Sequence, residues 1–132
     1  MADTKPVAEN PGEHYWRALA HGAHEFQRCN TCTAAWLPAR EECPACWSSQ
    51  WTWERASGRG RIVSWVIFHT AFHAAFAKRL PYNVAVVELA EGPRLYTNIV
   101  NLGDHQGDVT DRSVSLVIEH DHDRAVPRFR IE

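Results

Sequence analysis

Four cysteines are spaced as chemistry would need them: Cys29-x2-Cys32, then ten residues, then Cys43-x2-Cys46. Such thiols could form two disulfides, a reactive dithiol, or a structural or catalytic metal site. Each Cys-x-x-Cys pair can fold into a tight knuckle that turns two thiolates and several backbone N–H groups toward one point, so two knuckles supply a tetrahedral four-sulfur shell suited to Zn²⁺. Iron in a four-thiolate site is the second metal choice. A redox dithiol needs one reactive pair at a helix N-terminus beside a βαβ unit, and no such context is visible. A catalytic zinc needs an open coordination position, which four thiolates do not leave. The reading is therefore a structural metal held by Cys29, Cys32, Cys43 and Cys46, its binding energy serving to fold a lobe too small for its own core.

Other chemistry-bearing residues are weaker signals. His69 and His73 stand four apart, as ligands on a helix would, but His69 ends an expected strand and no acid stands at a fixed offset. The run Glu119-His120-Asp121-His122-Asp123 reads as a solvated strand end and turn. No Gly-x-Ser-x-Gly elbow and no phosphate-binding loop occurs, and with every cysteine committed to metal no thiol remains as nucleophile. Arg55, Arg59, Arg61, Lys78 and Arg79 form the main basic group of the β region, able to meet the phosphates of a nucleotide-bearing ligand or to be ordinary surface.

The elements that must position these residues follow from pattern. At 132 residues the chain suits one domain with an appendage. Residues 1–10 read as a tail. Asn10-Pro11-Gly12-Glu13 is a helix start, with Asn10 as cap, Pro11 at the first helical position and Glu13 closing a capping box. A helix within 11–24 then carries Tyr15, Trp16 and Leu19 on one side and ends at Gly22; being too short to stand alone, it must dock on the chain's own body or on a partner. Residues 25–54 form the cysteine lobe. Residues 55–132 read as five strands: 61–68, 83–89, 94–100, 113–119 and 128–131. The expected fold is mainly β: a helix, a metal ribbon and a small closed or half-closed five-stranded barrel of the oligonucleotide/oligosaccharide-binding (OB) type.

A formal net charge of −2 argues against affinity gained by neutralising many phosphates. The rival reading, a single-strand nucleic-acid binder stacking bases on its aromatics, carries that handicap. The first residues lack the apolar run of a signal peptide, and nowhere do 18 apolar residues follow one another. The expectation is a soluble cytoplasmic protein without a membrane partner.

The order of these parts resembles the family of small acyl-CoA-associated proteins with an N-terminal helix, a rubredoxin-like zinc ribbon and a C-terminal OB-fold, long labelled a domain of unknown function. The resemblance rests on "YWRAL", "FQRCNTC", "LPAREECPAC", "ASGRGRIVSW", "LPYNVAVVELAEGPRLYTNIV" and "VPRF". It implies a non-catalytic accessory subunit of a thiolase-like or aldolase catalytic partner, or of a hydratase, acting on coenzyme A (CoA) thioesters. On that view the partner carries the catalytic residues, and this chain helps assembly and CoA positioning. Lys78, Arg79, Pro81 and Tyr82 are then the candidates for CoA contact, and Tyr15, Trp16 and Leu19 for the partner interface. The chain departs from the family at Thr33, Trp47 and Asp111, where glycine often stands; glycine eases a positive-φ turn, so the knuckle geometry and the turn into "RSVSLVIE" are expected to be built differently here.

Overall fold

Helix α1 (Pro11–Ala20) starts where its cap chemistry dictates. The Glu13 N–H donates to the Asn10 side chain at 2.9 Å, and the Asn10 N–H donates to the Glu13 carboxylate at 3.2 Å, a reciprocal capping box. It ends in a Schellman turn: Gly22 N–H bonds the Leu19 carbonyl, Ala23 N–H bonds the Ala18 carbonyl, and Gly22 takes φ +91°. The computed structural model describes residues 10–69 and 81–132.

Three short strands follow: β1 (Glu25–Cys29), β2 (Ala35–Trp36) and β3 (Trp51–Arg55), paired antiparallel in the order β2-β1-β3. Trp36, Cys29 and Cys43 make the small buried centre of this ribbon. Its shape is held by a buried polar hub. Gln27, fully buried on β1, donates to the Arg40 carbonyl at 2.7 Å and accepts from Trp36 Nε1 at 2.9 Å and Arg40 N–H at 2.8 Å. Every polar atom of the amide is used, which is what makes its burial tolerable.

The second sheet contains β4 (Arg59–Phe68), β5 (Tyr82–Leu89), β6 (Arg94–Thr97), β7 (Ser113–Asp121) and β8 (Arg124–Ile131), in the order β6-β5-β4-β7-β8. An extra residue on β4, where Ile62 pairs with Val87 but Ser64 with Val86, bends the strand and helps the sheet curl. Gly60 allows the close β4–β5 approach: an added Cβ would lie 2.7 Å from the Glu88 carbonyl oxygen. Ile62, Val87, Leu89, Ile99, Val109, Val114, Phe129 and Ile131 fill the inside, joined by Phe26 from the ribbon. The two edge strands meet in a partial seam. Phe129 N–H donates to the Asn98 carbonyl, Val100 N–H donates to the Phe129 carbonyl, and the Asn101 amide both gives to and takes from the Ile131 backbone. The result is a half-barrel, mainly β with one helix.

Two sequence expectations shift. The third barrel strand ends at Thr97 instead of Val100, because the Asn98 and Val100 backbones bond Phe129 of β8 while that of Ile99 is held by the Asn83 side chain and not by the β5 ladder. The last strand starts at Arg124 instead of Arg128, with Pro127 inside it. Proline reads as a strand breaker, but β8 is an edge strand, and there a missing N–H is tolerated.

Candidate metal centre

The four cysteine sulfurs lie within 4.8 Å of one another. Cys29 and Cys46 sulfurs are 3.5 Å apart, and those of Cys32 and Cys43 are 3.6 Å apart. A disulfide would bring two sulfurs to about 2.05 Å, whereas a tetrahedral zinc–thiolate shell with bonds of about 2.3 Å has edges of about 3.8 Å. The donor set and its spacing therefore fit a tetrahedral thiophilic ion and not two disulfides.

Both knuckles are built alike. After β1, the N–H groups of Thr31 and Cys32 point at Cys29 Sγ at 3.3 and 3.4 Å. In the second knuckle those of Ala45 and Cys46 point at Cys43 Sγ at the same distances. Each turn closes through a residue in left-handed backbone. Thr33 N–H bonds the Cys29 carbonyl at φ +69°, and Trp47 N–H bonds the Cys43 carbonyl at φ +68°. These N–H groups stabilise thiolate. The Cys32 N–H chiefly draws Cys29 down to about 6, with burial opposing and the Thr31 N–H adding. Burial opposes ionisation of Cys43, but the N–H groups of Cys46 and Ala45 outweigh it and hold that thiol below its usual range. For Cys46 the Ser48 N–H favours thiolate, yet burial and the neighbouring sulfurs prevail and raise it to about 12. Protons retained in such a cluster are displaced by a cation that binds thiolate.

Asp111, the third expected glycine position, has φ +69°; its carboxylate accepts from Arg61, which also pairs with Glu88. That ion pair occupies one member of the basic group read from the sequence. Tyr15 and Leu19 are buried in a cluster with Ala125 and, at its margin, Trp16, Leu37, Trp53 and Ile118. The helix thus ties ribbon to barrel, and the half-buried Trp16 ring carries the Arg124 guanidinium 4.2 Å above it. Pro81 and Tyr82 line a cleft of about 310 Å³ with Trp65, Ile67, Leu102 and His105, and Tyr82 stacks on Phe68. Lys78, Arg79 and His73 lie outside the described residues, and His69 is exposed just past β4.

Beneath the helix is a group that sequence reasoning missed. His24, 2% exposed, bonds the Tyr15 hydroxyl through Nε2 at 2.8 Å and packs edge-on to Phe129. Among the described residues its Nδ1 and the buried Oε1 of Glu91 have no hydrogen-bond partner, while the other Glu91 oxygen accepts from Ser57 N–H. Burial pushes His24 down to about 4, with the Glu91 carboxylate pulling the other way. A lone histidine between Ala23 and Glu25 carries no sequence signal for such a role, and neither does Gln27.

Four clustered cysteines on a ribbon that a helix ties to an OB-type half-barrel define the class: a mainly β chain whose cysteines could hold a metal ion. Residues 53–118 match the family described as ChsH2, C-terminal OB-fold domain, and the chain belongs to that family. It is 32% identical to a solved chain from an Ltp2-ChsH2(DUF35) aldolase, with 96% of this chain and 98% of that one covered and a TM-score of 0.78. It is also 32% identical over 126 residues to a probable enoyl-CoA hydratase alpha subunit of Thermomonospora curvata, covering 96% of this chain and 39% of that protein. A DUF35 domain-containing scaffold protein of Methanocaldococcus jannaschii is 35% identical over 75 residues, 56% of this chain and 52% of its own length. The chain thus spans about half or less of these two relatives. No helix among the described residues is long and apolar enough to cross a membrane.

Proposed function

We propose that this chain is a non-catalytic accessory subunit of a thiolase-like or aldolase enzyme acting on acyl-CoA thioesters. The observation that carries the reading is its near full-length similarity to a chain of an Ltp2-ChsH2(DUF35) aldolase. The scaffold relative supports an assembly role. The hydratase subunit relative supports a second reading, in which the catalytic partner is an acyl-CoA hydratase.

The metal in this reading is zinc, held by Cys29, Cys32, Cys43 and Cys46. Bound there, it supplies tetrahedral cross-linking and no open position for substrate. The chain's own residues do the rest: two knuckles fix the ribbon, Gln27 holds the Leu37–Arg40 turn against it, and Tyr15 and Leu19 fasten the ribbon to the barrel. Catalytic groups come from the partner. The cleft at Pro81 and Tyr82, beside the segment that bears Lys78 and Arg79, is the proposed place of CoA contact.

Co-expression with a candidate thiolase-like or aldolase catalytic subunit, followed by size-exclusion chromatography and metal analysis, tests the reading. A stable hetero-oligomer with one zinc per copy of this chain is expected. A monomer that ignores that subunit would overturn the accessory role.

A further inference from the structure

The seam between β6 and β8 stops abruptly, and the reason is a single proline. In the β5–β6 hairpin Leu89 N–H bonds the Pro93 carbonyl, and the register runs Val87↔Leu95, Val86↔Tyr96, Ala85↔Thr97. Antiparallel alternation then directs the backbone of Leu95 and Thr97 at β5 and that of Arg94, Tyr96 and Asn98 at β8. Asn98 and Val100 do bond β8, both through Phe129. The next rung along this parallel zipper would need an N–H at residue 127 to reach the Tyr96 carbonyl. Pro127 has none, and its carbonyl accepts instead from Thr97 Oγ1 at 2.9 Å.

Beyond that point the strands splay. Arg94 and Tyr96 make no backbone bond to β8 among the described residues. A cleft of about 860 Å³ opens beside them, its walls including Leu37, Val86, Leu95, Val126 and Pro127, with Trp16 at the helix side. The Tyr96 ring stands 80% exposed at its margin.

We propose that this notch receives an extended segment of the catalytic partner, added as a strand along β6. The inference rests on the accessory-subunit reading and names its docking surface. Two residues of open strand edge offer two N–H and two C=O groups, and only another polypeptide backbone supplies donors and acceptors at that alternating spacing. An acyl chain supplies none. Every second side chain of the incoming strand would meet the apolar wall, which suits a segment of about five or six residues. On the β8 side Pro127 withholds an N–H, so the segment pairs with β6.

Two substitutions separate backbone from side chain. Tyr96→Pro removes an outward N–H while leaving the Leu95 and Thr97 bonds to β5, and proline is tolerated on an edge strand; Tyr96→Thr keeps the N–H and removes the ring. With the co-expressed catalytic subunit, Tyr96→Pro should weaken binding at least about tenfold, the scale of one lost backbone hydrogen bond, and Tyr96→Thr by less than about threefold. In the wild-type pair, amide hydrogen exchange at Arg94 and Tyr96 should slow by about tenfold or more on association, a readout that does not depend on the variant folding. Unchanged binding by Tyr96→Pro, or unchanged exchange at β6 in a complex that does form, overturns the notch and leaves the accessory role standing. Amides already protected in the isolated chain mean that its own segment or a second copy fills the notch, which also overturns it. Failure of the wild-type chain to form any complex removes both readings.

Discussion

His24 should make the stability of this chain depend on pH between about 4 and 6.5. The imidazole is buried against Phe129, tied to the Tyr15 hydroxyl, and faces the Glu91 carboxylate. Its folded value of about 4 lies below the free value of 6.5. The unfolded chain therefore binds the proton first, so stability is full above about pH 6.5 and falls as pH drops toward 4. At about 1.4 kcal/mol per pH unit the whole gap is worth about 3 kcal/mol, of which about 2.5 kcal/mol is lost by pH 4.5. That is a large share of the ~5–15 kcal/mol typical of a domain. The assay is urea unfolding of the metal-loaded protein from about pH 7.5 to about pH 4.5, wild type against His24→Gln. The other ionisable groups are common to both proteins, so the difference between the two curves reports His24 together with its neighbour Glu91. The wild type should lose about 2.5 kcal/mol more than the variant. Parallel curves would refute the reasoning, showing that the imidazole is either hydrated or already charged in the fold.

Four further outcomes are expected. Gln27→Leu strands the Trp36 indole N–H and both Arg40 backbone groups, and urea unfolding should show a loss of about 3–5 kcal/mol. Trp47→Gly relieves a left-handed backbone at a side chain that is 74% exposed, so thermal unfolding should show a gain of about 1 kcal/mol with unchanged metal content. Cys43→Ser, or a strong chelator, should release the metal and expose the Trp36 and Trp51 packing, read as a red shift in tryptophan emission. Tyr82→Ala should raise the KM of the assembled enzyme for its CoA thioester by about threefold to tenfold while kcat holds, if the Pro81–Tyr82 cleft helps to position CoA.

Much of this architecture was legible in the chain because it depends on local rules. The capping box at Asn10 and Glu13 formed as its spacing requires, and Gly22 closed the helix. Paired Cys-x-x-Cys spacing brought four sulfurs together, whereas Thr33, Trp47 and Asp111, where a different build was expected, keep left-handed backbone without the glycine that would ease it. What stayed hidden depends on partners distant in sequence. Pro127 lies within a strand only because β8 is an edge, a fact that emerges once β6 and β8 are brought together. Gln27 and His24 look like surface residues until Arg40, Trp36 and Tyr15 fold over them. No period or motif encodes such burial, because the satisfying groups lie 9 to 13 residues away and on other elements.

Turnover of an acyl-CoA thioester by the catalytic subunit, measured with and without this chain and with this chain alone, bears most directly on the accessory role. No turnover by the isolated chain is expected, with recovery of soluble, active enzyme only when the two are present in a fixed ratio. Full activity of the catalytic subunit without this chain, or turnover by this chain alone, would contradict that role.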